Sequence, residues 1–576
     1  VSDRLLCGIA AGFVEEVREA DPDLAEDLRS AGLLQELHRQ STTKHENKSS
    51  KTFEKHGLSC PIQIETVDVG PGQTHPVLKV ADLLQALASC NKLCLLWGAT
   101  STTTTHQNTE VLPKFWRRWR QHDPQHAVFQ HHRDHLAYVL PLQLHADEGQ
   151  TLKKTGVMVV NWQSPIGFGL STTDDCPEAM SLNYLGNSYA TRFLYTVCHK
   201  KCYSKGKSEF FTGIMERLAD ELLDLFWNGV TLNLRGKKVA FYAALLGLKG
   251  DWPIQARIGN LSRHFARKGV FQVSAKSGFC HLCRAGEQGY DANDYGSSAS
   301  WRATYLKCIP WDSEGPLCRV PQSPAKEFIH KFDLFHTVHK GVFAELAGSA
   351  LVVITDYSLV GSGDIPQQLD AIYALAVRHC KATNTALHMD GLTRHLLSFS
   401  ADYDYPVGNW FKGADTSAMC SFLEAFWAEH IAAHANESDE YLRGFLECLR
   451  AANIFMRTLY RSGLWLSQER CRTAAEAGAA FLKAYIETSS RAFDQQKTRF
   501  KLTPKYHGLI HIVDNLITGY NADRRWTLSP LSESTQMDED FIGRVSSTTT
   551  KVSSRKMHRQ TLSRYLTNMW MQVHGR

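Results

Sequence analysis

The chain is 576 residues long, too long for a single small module, and its 43% hydrophobic and 21% charged content exclude a wholly disordered, collagen-like or membrane-embedded polypeptide. Lys+Arg exceed Asp+Glu by 64 − 59 = 5, a charge that permits a nucleic-acid partner without demonstrating one. Fifteen scattered cysteines, with no basic-then-apolar leader before them, point to a reducing compartment. The apolar run Val239–Leu248 ends in charge and falls short of the ~20 residues that span a bilayer, so no membrane partner is expected. The chain opens on Val1 rather than Met, which leaves room for sequence upstream.

Residues 1–40 space Leu, Ile, Val and Phe among acids as helices do, and 41–57 are polar, basic and turn-rich. This predicts a helical accessory segment and linker over 1–57. A mixed accessory region, 58–130, contains the polar tract Thr100–His106 and the run Lys114-Phe-Trp-Arg-Arg-Trp-Arg120. That run suits gripping phosphates while stacking on bases, and equally suits an amphipathic surface helix. From Leu136 to His145 the pattern is that of a strand, closing in the acidic turn Ala146-Asp-Glu-Gly149. Gly156–Trp162 and Arg192–Cys198 read as two more strands. Thr212–Trp227 carries Ile214, Leu218, Leu222 and Leu225 at helical spacing. A buried strand from Lys237 then delivers Asp251 at its end, followed by a helical stretch over 254–268.

Three strands, a helix and a fourth strand, with Asp147 and Asp251 at the ends of the first and fourth, is the element order of a ribonuclease H-like α/β core. Such a core sets two carboxylates on neighbouring strand ends, where hard oxygen ligands can hold a pair of Mg²⁺ or Mn²⁺ ions. A third acid must complete the set.

Leu144-His-Ala-Asp-Glu-Gly149, Lys249-Gly-Asp-Trp-Pro253, Cys280-His-Leu-Cys283, Asp333-Leu-Phe-His-Thr-Val-His-Lys-Gly-Val-Phe343 and Asp538-Glu-Asp-Phe-Ile-Gly543 follow one another along the chain. Together they resemble the ordered landmarks of a eukaryotic DDE transposase, above all the Plavaka-type members of the Kyakuja-Dileera-Zisupton group and the CACTA elements. Glu539-x-Phe-Ile-Gly543 is similar to the Glu-x-Phe-Met-Gly of CACTA enzymes. The resemblance covers roughly 130–570. It implies Asp147, Asp251 and Glu539 as a triad for two Mg²⁺ or Mn²⁺ ions, with Glu533 a nearby competitor for the third place. It implies DNA cleavage and strand transfer, transposon-end and target DNA as partners, residence in the nucleus, and room for a homo-oligomer. The alternatives are a domesticated or inactive DNA- or protein-binding descendant, or a host nuclease of the same fold.

The triad intervals are 104 and 288 residues. The second is too long for a bare core, which predicts a mainly helical insertion over 291–500, with runs at 367–384, 417–436, 440–460 and 468–490, between a first core part (131–290) and a last one (501–576). Each acid also has an ordinary reading: Asp147 and Asp251 as turn acids, Glu539 as one of three acids at a helix start.

Cys280-x2-Cys283 lies just after Asp251, and His507-x3-His511 just before Glu539. Two thiolates and an i, i+4 imidazole pair can close a tetrahedral Zn²⁺ site, in a placement that resembles the zinc site of the V(D)J recombinase and Transib-like transposases. Reduced buried thiols and helix-face histidines are the competing reading, and Cys308 and Cys318 are rival ligands. Asp333 is expected as the N-cap of a long apolar helix, with His336 and His339 as supports of the site or of bound DNA. Beyond Asp540 the sequence carries Arg544, Lys551, Arg555, Lys556, Arg559, Arg564 and Arg576 and no acid, a one-sided count that favours nucleic acid.

Overall fold

The computed structural model describes residues 3–27, 32–42, 49–98, 105–150, 155–167, 169, 177–204, 208–234, 236–264, 278–410, 412–434, 440–550, 552 and 555–575. Much of the tract at 100–106, the end of the helix expected over 254–268, Lys551 and Arg576 lie outside them.

The N-terminal helices α1 (Asp3–Ala20), α2 (Pro22–Asp27), α3 (Gly32–Thr42) and α4 (Ser49–Lys55) include a small cluster of their own around Cys7, Ala10 and Leu37. The helix α4 occupies part of the stretch expected as linker. A hairpin of β1 (Glu65–Gly70) and β2 (Gln73–Val77) follows, then α5 (Val80–Ser89), α6 (Thr105–His122) and α7 (Val128–His131). The basic-aromatic run lies on α6 and takes the amphipathic reading. Phe115, Trp116 and Trp119 are buried, Trp116 Nε1 donates to Val139 O, and the Arg118 guanidinium lies 4.2 Å from the Trp526 ring. Those aromatics pack the core and offer no face to a base.

The centre is a five-stranded mixed sheet: β3 (Val139–Gln150), β4 (Gly156–Gln163), β5 (Phe193–His199), β6 (Val230–Leu234) and β7 (Lys237–Lys249), in spatial order β5-β4-β3-β7-β6. The pairs β3–β4 and β4–β5 are antiparallel, and β3–β7 is parallel. Between β4 and β5 stands the single turn α8 (Ser188–Thr191); α9 (Ser208–Trp227) carries the chain from β5 towards β6 and packs on β7. The strand β6, absent from the sequence reading, pairs antiparallel with β7 as a hairpin, so the fourth and fifth strands arrive together. The first strand is also longer than its sequence pattern suggests. Its pairing with β4 runs on to Gln150↔Gly156, so Asp147 belongs to the strand and stands opposite Val159 rather than in a turn.

After β7 come α10 (Trp252–Gly259) and an irregular segment of short 3₁₀ turns to Ile329. Lys331 N donates to Leu248 O, which lays this segment beside the end of β7. A π-helical turn, Phe335–Val342, then breaks at Lys340 and Gly341 and continues as α11 (Phe343–Asp356). The 22 residues Phe335–Asp356 are long and apolar enough to cross a bilayer, longer than the run singled out in the sequence, but 89% of their apolar window is buried inside the protein. Around α11 pack α12 (Ile365–Ala382), α13 (Ala414–Ala433) and α14 (Glu440–Tyr460). The long α15 (Gln468–Asp494) pairs with α14 and α16 (Pro504–Asn521), and the short β8 (Trp465–Ser467) and β9 (Trp526–Leu528) tie the returning chain to itself. It ends in α17 (Gln536–Thr549), packed on β3 and β4, and α18 (Met557–Val573), packed on β5.

Strand alternation sorts β3 into two faces. Leu140, Leu142, Leu144 and Ala146 enter the apolar core, while Gln143, His145, Asp147 and Gly149 turn towards α17. A Cβ on Gly149 would lie 2.6 Å from Ser546 Cβ, so only glycine lets α17 approach this closely. Beneath α17 the sheet presents a buried polar layer. Asp538 faces Lys249 Nζ at 3.0 Å, Arg192 Nε at 3.6 Å, Asn161 Nδ2 at 3.4 Å and Gln163 Nε2 at 3.5 Å. Burial alone would push the Asp538 carboxyl up, but Lys249 and Arg192 hold it well below the usual carboxylate range.

Removing one member of a buried ion network strands the others. Asp538→Asn is therefore expected to destabilise the chain by about 3–5 kcal/mol, read as a lower urea midpoint. An unchanged midpoint would show that the network does not anchor α17.

Candidate metal and active site

The parallel pairing of β3 with β7 sets His145 opposite Lys249. Two residues further along each chain stand Asp147 and Asp251, at the same end of the sheet; Asp251 feels the charge of Asp147 but does not join the group of ligand atoms that Asp147 forms with His145 and Glu539. Asp251 is the N-cap of α10 and accepts from Ile254 N at 2.9 Å, with Gly250 before it at φ +143, a conformation that favours glycine. Asp147 Oδ1 accepts from Glu148 N at 2.6 Å. The first turn of α17 supplies Glu539.

Its three acids go three ways. Asp538 turns down into the polar layer, and Asp540 turns out to Arg544 and Ser188. Glu539 points to Asp147, close enough that His145, Asp147 and Glu539 each offer a ligand atom within 4.8 Å of the others. The competitor Glu533 is elsewhere, facing Lys331 at 3.9 Å.

The three carboxylates repel one another. Burial and the charge of Asp147 push Glu539 up to about 8, and the same two causes push Asp251 up to about 6. Glu539 Oε1 and His145 Nε2 are buried without a hydrogen-bond partner. Hard carboxylate oxygens in excess of their hydrogen-bond donors, one of them orphaned, are a donor set that fits divalent cations.

A protonatable group of the chain itself stands beside the acids. Asp333 accepts from Phe335 N (2.8 Å), Thr535 N (3.0 Å) and Thr535 Oγ1 (2.7 Å), and lies 2.5 Å from His336 Nδ1. His336 Nε2 lies 3.8 Å from Glu539 Oε1. Burial works against charge on His336, but Asp333, with Glu539 and Asp147 behind it, raises it to about 9. Asp333 thus does more than start its own helix: it fastens Thr535, the residue before α17, to the beginning of the helical segment. His339 is turned away, with Nε2 3.1 Å from the Tyr460 hydroxyl. Two lysines escaped the sequence reading. Burial lowers both, against the pull of Glu539 on Lys340 and of Glu345, Asp333 and Asp251 on Lys505; Lys340 Nζ donates to the Trp410 carbonyl (2.5 Å) and Lys505 Nζ to the Lys340 carbonyl (2.6 Å) at the break in the π-helical turn. His145 was legible in principle, two residues before Asp147 on the same strand face.

A second donor set is fully buried. Cys280 Sγ lies 3.4 Å from His511 Nε2, and Cys283 Sγ lies 3.3 Å from His507 Nε2 and 3.5 Å from His511 Nε2. Bond lengths of Zn–S and Zn–N in a tetrahedral site imply S···N edges of about 3.6 Å, close to these separations. His507 Nδ1 is 2.8 Å from Ala292 O, which fixes the ring with Nε2 turned inwards. Burial opposes ionisation of Cys280, yet its hydrogen bond with Cys283 and the nearness of His511 hold its thiol well below the ordinary range. These four residues could hold a metal. The rivals do not join them: Cys308 bonds to Arg263, and Cys318 packs against Leu261 and Trp311.

No protein-family model matches the chain, and no curated protein matches it.

Carboxyls with raised folded pKa values favour the fold at pH below their unfolded values, near 4, and that contribution is lost as pH rises through about 6 and about 8. Without added metal, the melting temperature of the wild type should fall across this window more than that of Glu539→Gln. Adding Mn²⁺ should raise the wild-type melting temperature at pH 8 and have little effect at pH 5, as followed by calorimetry. Equal shifts in wild type and Glu539→Gln would remove Glu539 from the site.

Proposed function

We propose that the chain is a transposase-type DNA-cutting and strand-transfer enzyme built on a ribonuclease H-like core, with Asp147, Asp251 and Glu539 as its metal-binding acids. The observation that carries the reading is the approach of Glu539 on α17 to Asp147 on β3, with Asp251 after β7 near enough to feel the charge of Asp147, residues separated by 104 and 288 positions in the chain. The sheet order, with three antiparallel strands and a parallel strand beside the first, supports the ribonuclease H-like assignment.

Two Mg²⁺ or Mn²⁺ ions held by these acids would supply activation of an attacking oxygen and stabilisation of the leaving one. The chain's own part is to present three carboxylates in one half-buried pocket and to brace them from behind. Asp333 orients His336, which faces Glu539 and places positive charge beside the acids, where a phosphodiester would need it. Arg555, Lys556 and Arg559 are exposed around the start of α18 and extend a cationic surface that suits a DNA backbone. In the same reading Cys280, Cys283, His507 and His511 bind a structural Zn²⁺ that joins the segment after α10 to α16.

Glu539→Gln is expected to abolish metal-dependent nicking of DNA while leaving DNA binding within about twofold, because it removes a metal ligand without adding charge. Nicking at the wild-type rate by this variant would overturn the assignment. Absence of nicking by the wild type, with DNA binding intact, would favour a non-catalytic DNA-binding descendant.

A further inference from the structure

We propose that Cys198, Cys202 and His558 form a second, independent site for a thiophilic divalent cation of the Zn²⁺ class, one that keeps a coordination position open to solvent. Each residue offers a ligand atom within 4.8 Å of the other two. Cys198 is the penultimate residue of β5, Cys202 ends the 3₁₀ turn Lys200–Cys202 that follows it, and His558 stands in the first turn of α18. Strand end, turn and helix start therefore bring two thiols and an imidazole to one point, and none of the three takes part in the sites described above.

The donor types decide the ion. Sulfur and imidazole favour Zn²⁺ over Mg²⁺ or Ca²⁺, which take oxygen ligands. The imidazole is already aimed: His199 N donates to His558 Nε2 at 3.0 Å, so the unprotonated nitrogen faces the strand end. A cation would take that lone pair in exchange for the amide. Cys198 is buried, while Cys202 and His558 are half-buried, so the cluster is reachable from solvent, unlike the fully buried set at Cys280, Cys283, His507 and His511. Three protein ligands with an accessible fourth position make an exchangeable site, where four buried ligands make a closed one. Occupancy would cross-link α18 to β5 and fix the exposed Arg555, Lys556 and Arg559 relative to the sheet.

The test is metal content of the full chain, purified under reducing conditions with Zn²⁺ present and measured by inductively coupled plasma mass spectrometry. Cys202→Ser and His558→Gln should each contain one equivalent less than wild type, whatever the other sites hold. Cys283→Ser should not affect the equivalent lost in those two. Replacing Zn²⁺ with Co²⁺ should give a thiolate-to-metal absorption band that weakens in Cys202→Ser. Because His558 is half-buried, His558→Gln keeps the test open should the cysteine variant misfold. Unchanged metal content in His558→Gln, or a Cys198–Cys202 disulfide without metal in mass spectra of the reduced preparation, would overturn the proposal.

Discussion

Three carboxylates brought into one half-buried pocket at the end of a sheet repel one another, and much of the surrounding structure answers that repulsion. From below, Lys249 and Arg192 bring two positive charges to the single negative charge of Asp538, which leaves the polar layer beneath α17 net positive. From the side, His336 faces Glu539 while Asp333 stabilises its proton. The compensation is partial, since Asp251 and Glu539 remain raised. A pocket whose acids are held together but not neutralised is one in which a bound cation would relieve the repulsion.

The division of labour along α17 follows from helical geometry. Successive residues point about 100° apart, so Asp538, Glu539 and Asp540 cannot share a face. One is consumed in anchoring the helix, one faces the pocket and one pairs with Arg544 on the surface. Sequence alone could name the triplet, but the buried partners of Asp538 come from β4, β7 and the approach to β5, and only the folded sheet brings them under the helix.

Other features were legible to the degree that their signals were local. The helix expected over 440–460 is Glu440–Tyr460 and that expected at 367–384 falls within two residues of α12, because apolar periodicity over five turns is a strong pattern; α13 falls within three residues of 417–436 although its apolar residues are spread round the helix. The sequence pattern locates the strands around the acids but not their length. Asp147-Glu148-Gly149 has the composition of a turn, yet pairing with β4 carries the strand through it. The five-residue β6 carried too short a pattern to stand out. The cysteine and histidine pairs converge as their spacing suggested, and His145 shares the strand face of Asp147 two residues away.

The bond between Asp333 and Thr535 joins residues 202 positions apart, and the Cys280–His511 and Cys283–His507 contacts pin nearly the same interval a second time. Closing a flexible loop of that length once costs about 5 kcal/mol in chain entropy. Much of that cost is shared when a second closure falls beside the first, so the two fastenings are coupled in assembly. The long helical segment enters and leaves at almost one point. Its length and internal arrangement can therefore vary between related chains without moving the acids, provided that both ends return to the same place.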